Sequence, residues 1–303
     1  MSVDQKPDPL SVYWNDRFTR YNHTGWNIPG IYKYDQKVRV RAVLSSLDAL
    51  NIPCTAGSRV LDIGCGTGAI TEALARRGAT VVGYDISSGV IEQARARLGD
   101  APNVVLECAN LVDTELKHGP YDLITSVTVL QHQVDDRSLS EVIGKLSRAL
   151  KRGGTVLILE SVLPEGSSGR GADHYIRPRT RSEWLERFRE AGLQLVYERS
   201  YPQAALTTLG WIRSAVRRAK RKARNARSSV ATVQSARPDG RGTADRHPGF
   251  GSRVRSRVRL AGVKCFLAVF VPIDHWLRIP TPKAVASGRI LAFKAATRPV
   301  AEL

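Results

Sequence analysis

Residues 60–71 read Val-Leu-Asp62-Ile-Gly64-Cys65-Gly66-Thr-Gly68-Ala-Ile-Thr, an apolar run that ends in three alternating glycines and passes directly into a helical pattern. Glycine is required where a strand must turn sharply and then bring its backbone closer to a ligand than a Cβ would permit. From Arg59 to Glu160 short apolar runs alternate with helical patterns, the sequence form of a parallel α/β sheet. Strands are predicted at Ser58–Ile63, Thr80–Tyr84, Asn103–Glu107, Tyr121–Val129 and Thr155–Glu160. Helices are predicted near 69–77, 88–98 and 136–150, followed in turn by Gly78, Gly99 and Gly153, the expected left-handed C-terminal caps. A sixth unit opens on a capping box, Thr180-Arg-Ser-Glu183, carries Trp184, Leu185 and Phe188 on its apolar face, and ends at Gly192 before a strand at Leu193–Glu198. The next convincing strand, Arg289–Lys294, comes about ninety residues later.

That gap holds the charge. The chain of 303 residues has a net charge of +18, and thirteen of those charges lie between residues 211 and 260. The remainder has an ordinary balance, so the excess concerns one segment and its partner rather than a chain that coats nucleic acid. Residues 228–252 are rich in Gly, Pro, Ser, Arg and Asp, with too little apolar content to order themselves. Residues 260–279 regain hydrophobicity through Phe266, Phe270 and Trp276 and read as a buried or interfacial element packed back on the core. The organisation expected is a helical cap at 1–50, rich in Tyr13, Trp14, Tyr21, Trp26, Tyr32 and Tyr34, a nucleotide-binding core at 51–200, a basic and partly disordered insertion at 201–287, and a last core strand with its tail at 288–303. Cys54, Cys65, Cys108 and Cys265 are far apart, with no metal-ligand spacing, which argues for reduced thiols and no metal site. No secretory pattern opens the chain, and its longest apolar run, Cys265–Ile273, is far short of the ~20 residues of a spanning helix. The expected location is cytoplasmic.

Asp85 ends the second strand, 17 residues after Gly68, where a carboxylate can accept hydrogen bonds from both hydroxyls of a ribose. Glycine loop and acid together describe an adenosine pocket. By glycines alone, Gly64-x-Gly66-x-x-Ala69 also fits the dinucleotide fingerprint. Two features separate the readings. Asp62, two residues before the first glycine, gives an arrangement that resembles motif I of the class I S-adenosylmethionine-dependent methyltransferases. The stretch Tyr121-Asp122-Leu-Ile-Thr-Ser126-Val-Thr-Val-Leu130-Gln-His132 is similar to that family's fourth-strand motif, and the two late strands resemble its reversed final hairpin.

The resemblance, which covers residues 58–200 and the last strand, implies a Rossmann-like, doubly wound, mostly parallel α/β sheet of seven strands with a final antiparallel strand. It implies S-adenosyl-L-methionine as cofactor, with Gly64, Cys65, Gly66 and Gly68 passing under its methionyl part and Asp62 helping to hold its amino group, directly or through water. Asp85 would bind the ribose, Ile86 would lie against the adenine, and Ser126 and Val127 would line the cofactor with backbone atoms. Relatives often carry an acid after the third strand that caps the adenine amino group; here the stretch is Glu107-Cys108-Ala109-Asn110-Leu111, with no aspartate at that place, and the resemblance would leave the contact to the Asn110 carbonyl.

His132, at the carboxyl edge of the fourth strand, is the candidate general base, and it reads equally as a loop cap. Asp135 and Asp136 are expected to cap the next helix. His174 and Tyr175 read as loop packing or as groups above the acceptor. Tyr32, Tyr34, Asp35 and Arg39 are expected either to close over the cofactor, with a cation for its carboxylate, or to pack the helix on the sheet, as Trp14 and Trp26 are expected to do. The acceptor expected is a small-molecule, sugar or lipid-linked hydroxyl, methylated on oxygen. For the basic insertion three readings stand: a peripheral contact of residues 211–279 with the inner face of the membrane, a solvated insert without a specific role, and an RNA contact that would make the protein an RNA methyltransferase. The RNA reading is weakened because no aromatic residue for base stacking occurs between 212 and 249. A non-catalytic cofactor-binding regulator would keep the glycines and Asp85 and lack a working base.

Overall fold

The structure, a computed structural model, describes residues 8–25, 29–167, 174–201 and 287–295. The insertion at 201–287, apart from Tyr201 and Ser287, lies outside the described residues, as do Trp26 and most of the glycine-rich loop at 166–171. Two helices come first, α1 (Pro9–Tyr21) and α2 (Pro29–Ala49). The α/β part runs β1 (Arg59–Ile63), α3 (Ala69–Ala75), β2 (Thr80–Asp85), α4 (Ser88–Leu98), β3 (Val104–Cys108), β4 (Tyr121–Val127), a 3₁₀ turn at Leu130–His132, α5 (Asp136–Ala149) and β5 (Leu150–Leu163). It is completed by β6 (Arg179–Thr180), α6 (Arg181–Glu190), β7 (Leu193–Tyr201) and β8 (Ser287–Ala295).

The strands join one sheet in the order β3-β2-β1-β4-β5-β8-β7. The pairs from β3 to β5 are parallel, and β8 runs antiparallel to both β5 and β7. Among the described residues the sheet has eight strands rather than seven, because the two-residue β6 pairs with the end of β5. Side chains alternate across the sheet, so each strand feeds two cores. On one face Val60, Val81, Leu123 and Leu157 meet Val43 and Leu47 of α2 and Leu74 of α3. On the other, Leu61, Tyr84, Ile124 and Ile158 meet Leu139, Val142 and Leu146 of α5 and Trp184 and Phe188 of α6. The Phe188 ring stacks on Phe293 of β8 at 3.9 Å, a buried contact of the kind whose truncation to Ala costs about 3–5 kcal/mol.

The capping box of α6 is present in both directions, Thr180 Oγ1 accepting from the Glu183 N–H and Glu183 accepting from the Thr180 N–H. Two glycine caps differ from expectation. Gly99, at φ 57 and ψ −141, lies outside the left-handed helical region. Gly153 caps no helix: α5 ends at Ala149, and Gly153 sits inside β5, where the register with β4 slips between the pairs Tyr121↔Leu150 and Leu123↔Thr155. A side chain at the adjacent Gly154 would stand 2.9 Å from the Tyr121 carbonyl, so the pair of glycines makes an irregularity that brings two backbones together. The fourth strand stops at Val127, two residues early, because Thr128 takes φ +57 and the chain then turns.

Candidate functional site

The carboxyl ends of β1, β2 and β4 converge on the glycine loop, the position at which open α/β sheets bind ligands. The three glycines answer three different demands. Gly64 has φ +60, and a Cβ on it would lie 2.2 Å from Val129 Cγ2, so the loop after β4 can close on β1 only over glycine. At Gly68 a Cβ would press on Ala94 and Leu98 of α4, at 3.2 and 3.3 Å. At Gly66 nothing among the described residues lies closer than the Gly64 carbonyl at 4.0 Å, which leaves this face of the loop room for an approaching group. The Cys65 side chain is buried against Gly83, and burial pushes its thiol well up, which leaves it packing rather than reactive.

Asp62 and Asp85 behave differently. Asp62 is buried, and both its oxygens are occupied: Oδ2 accepts from Thr71 Oγ1 at 2.6 Å and Oδ1 from Thr125 Oγ1 at 2.8 Å. It therefore ties β1 to α3 and β4 beneath the loop, and burial raises its pKa to about 6. The two threonines are the signal that sequence reading missed, one at the first turn of the helix and one in the neighbouring strand. Asp85 is only partly covered, accepting from the Gly66 N–H at 2.9 Å and the Ser87 N–H at 3.0 Å. Its acid thus stands beside the open face of Gly66, and burial raises its pKa also to about 6. An acid next to a cradle that a side chain would fill fits the ribose of an adenosyl cofactor.

The residues expected around the adenine stand at the next strand ends. Ile86 is partly covered, and its carbonyl accepts from Ser11 Oγ at 3.4 Å. Asn110 is locally engaged: Oδ1, the atom expected to reach the adenine, accepts from the Val112 N–H at 3.0 Å, and Nδ2 donates to Asp8 and Asp113, each at 3.0 Å. Leu111 is buried in the core on the α5 face. Val127 is buried on the opposite face, and Ser126 is buried with no hydrogen-bond partner for its hydroxyl among the described residues.

The first helix covers this edge. Asp8 caps α1 by accepting from the Leu10 N–H, and Asn15 accepts from Ser87 Oγ at 2.8 Å. Phe18 lies over Gly89 so closely that a Cβ there would meet its ring at 2.4 Å. Tyr13 stacks on Tyr175 at 4.1 Å, and Trp14 stands edge-on to His132 at 4.7 Å, so Trp14 faces the candidate base rather than the sheet. From α2, Tyr32 shares a hydrogen bond with Thr67 of the glycine loop at 2.8 Å and stacks on the buried His23 at 3.8 Å. Arg39 is occupied by protein groups, pairing with the buried Asp35 at 2.7 Å and donating to Thr128 Oγ1 at 2.5 Å.

His132 ends the 3₁₀ turn, with Nδ1 2.7 Å from the Tyr175 carbonyl. A carbonyl only accepts, so in the neutral ring Nδ1 carries the proton and Nε2 is the basic nitrogen. Asp135 caps α5 by accepting from the Ser138 N–H. Asp136, expected to share that task, instead meets Arg177, Arg179 and Arg187. His174 is exposed.

Among the described residues no helix is long and apolar enough to cross a membrane. A family described as a methyltransferase domain matches residues 60–154. The demethylmenaquinone methyltransferase of Clavibacter sepedonicus is 30% identical over 176 residues, 58% of this chain and 67% of that protein. The ubiquinone biosynthesis O-methyltransferase of Thiobacillus denitrificans is 38% identical over 103 residues, 33% of this chain and 43% of that protein, and the enzyme of that name from Vibrio parahaemolyticus is matched over 64% of its length at 29% identity. The chain thus spans about half to two thirds of these curated relatives. Among solved structures, magnesium protoporphyrin IX methyltransferase from Synechocystis PCC 6803, with bound S-adenosylmethionine, superposes with a TM-score of 0.50 at 20% identity, over 66% of this chain and 93% of that one, a likeness of fold. With the glycine loop, Asp85 and the reversed last strand in place, these matches show that the chain belongs to the class I S-adenosylmethionine-dependent methyltransferases.

Proposed function

We propose that the protein methylates a hydroxyl oxygen of a small aromatic acceptor, with His132 as the general base. The observation that carries this reading is the hydrogen bond from His132 Nδ1 to the Tyr175 carbonyl, which directs the basic character of the ring to Nε2. When bound, S-adenosylmethionine supplies a methyl group on a sulfonium with a neutral leaving group, so the activation is the cofactor's own. What falls to the chain is to bind, align and deprotonate.

In this reading the Asp85 carboxylate holds the ribose, the open face of Gly66 receives the backbone approach, and Gly64, Cys65 and Gly68 shape the loop from beneath. Asp62 supports that loop through Thr71 and Thr125 rather than through a direct contact. Ile86, Asn110 and Leu111 lie on the adenine side, and Ser126 and Val127 form the floor. His132 Nε2 takes the hydroxyl proton as the oxygen gains the methyl. The aromatic acceptor is supported by the rings around His132, namely Trp14 edge-on and the Tyr13–Tyr175 stack, and by relatives named for demethylmenaquinone and for O-methylation in ubiquinone biosynthesis.

The test is His132→Ala. Loss of general-base catalysis is expected to lower turnover about 10²–10⁴-fold while S-adenosylmethionine affinity, read by calorimetry, stays within twofold. Turnover equal to wild type would remove His132 from the mechanism.

A further inference from the structure

The turn that carries His132 is held from below by a fully buried acid. Glu160, in the last third of β5, has no solvent exposure, and its carboxylate accepts from three successive backbone N–H groups: Val129 at 3.0 Å, Leu130 at 2.9 Å and Gln131 at 3.4 Å. Burying a carboxylate in a sheet core is costly unless its lone pairs are used, and here one short turn uses them. The same turn is fixed from its far side, where the Arg177 N–H donates to the Gln131 carbonyl at 2.8 Å and Tyr175 accepts from His132. Just before it, Thr128 is held at φ +57, a conformation costly for a β-branched residue. Its N–H donates to the Leu159 carbonyl at 2.7 Å and its hydroxyl accepts from Arg39. Among the described residues, the bonds that tie this turn's backbone to other elements come from β5 and from the 175–177 strap.

We infer that Glu160 is the positioning residue of His132: it clamps the front of the 3₁₀ turn so that the imidazole keeps the orientation in which Nδ1 meets Tyr175. The inference rests on the reading of His132 as base and names the group that places it. A base must stand within about 2.6–3.2 Å of the proton it removes, and a displacement of 1 Å costs about 100-fold in rate, so a turn fixed at both ends has catalytic value that a floppy one lacks. Among the described residues, the charge that acts on Glu160 is Arg39 of α2, which pairs with Asp35, and Tyr201 of β7 donates to Asp35 at 3.0 Å. Arg289 stands opposite Glu160 in the β5–β8 register and is itself bound to Glu198. Burial raises the Glu160 pKa to about 8, against the pull of the three N–H groups and Arg39.

The experiment is nitrogen-15 histidine NMR on the full chain saturated with S-adenosylhomocysteine, with His132 assigned by its absence in His132→Ala. Wild type is expected to show His132 locked as the Nδ1–H tautomer. Glu160→Gln keeps an acceptor for Val129 and Leu130 but turns an amide N–H₂ toward Gln131. Glu160→Asp keeps the acid and withdraws it by one methylene, so that the proposal stands on a second variant should the first fold poorly. In each folded variant the His132 ring should exchange between tautomers, and amide exchange at residues 129–131 should speed up about tenfold or more. His118, which pairs with Glu107 on β3, should be unchanged. A His132 that keeps its wild-type tautomer in both variants would overturn the inference. Because no acceptor enters the measurement, that failure is separate from a failure of the base reading, which His132→Ala turnover decides.

Discussion

Asp62 and Asp85 are both acids at the end of a strand, both with pKa values raised to about 6 by burial, yet their surroundings divide the work. Asp62 spends both oxygens on threonine hydroxyls, whereas Asp85 accepts from backbone N–H groups and stays partly open beside Gly66. The ionised form is the one that can accept from two ribose hydroxyls while retaining Gly66 and Ser87. A pKa raised to about 6 means the proton is bound more readily than on an ordinary aspartate, so affinity for S-adenosylmethionine should fall as the pH is lowered through about 6 and be level above 7. Asp85→Ala should weaken binding about 10²–10⁴-fold, as expected for two hydrogen bonds to a charged acceptor, without unfolding the protein. Calorimetric titrations from pH 5 to 8 check both statements, and wild-type affinity in a folded Asp85→Ala protein would contradict the ribose assignment. At this scale the residue types were legible in sequence, but their pairings were not: Thr71 and Thr125 stand within the motif stretches without a sign that both donate to Asp62, and only the fold brings Glu160 under the turn after β4.

The elements were legible where local chemistry decides them. The capping box at Thr180 and the short apolar runs of β1, β2 and β4 are local signals, and the elements formed where those signals stood. Legibility failed where a tertiary contact overrode them. Gly153, expected to end α5, instead lies with Gly154 inside β5, which begins at Leu150 rather than Thr155 and slips in register against Tyr121, and the end of β4 was set by Arg39 and Leu159 acting on Thr128. The covering position of α1 over the start of α4 was likewise invisible, since Asn15 and Phe18 meet partners more than seventy residues away. No residue of α1 is fully buried, so its removal should leave the sheet intact. A chain starting at residue 23 is expected to keep its circular-dichroism melting transition within a few degrees and to bind S-adenosylmethionine about tenfold more weakly, through loss of the Ser87 and Asp8–Asn110 contacts that order the adenine side. Unchanged affinity would mean that α1 is only packed on the site.

For the molecule as a whole, the methyltransferase core is written in the first two hundred residues and β8, while thirteen of the eighteen net positive charges sit between 211 and 260, outside the described residues. Sequence composition offers that segment a membrane surface, an RNA backbone or no specific partner, and the acceptor pool is what separates them. The direct measurement is to incubate the purified protein with methyl-labelled S-adenosylmethionine and a whole-cell extract of its source organism, and to fractionate the label into lipid, small-molecule, RNA and protein pools. Label in a base-stable ether of a small or lipid-soluble aromatic molecule, absent with Asp85→Ala and strongly reduced with His132→Ala, is the result this account predicts. Label in RNA or protein, or no transfer despite cofactor binding, would contradict it.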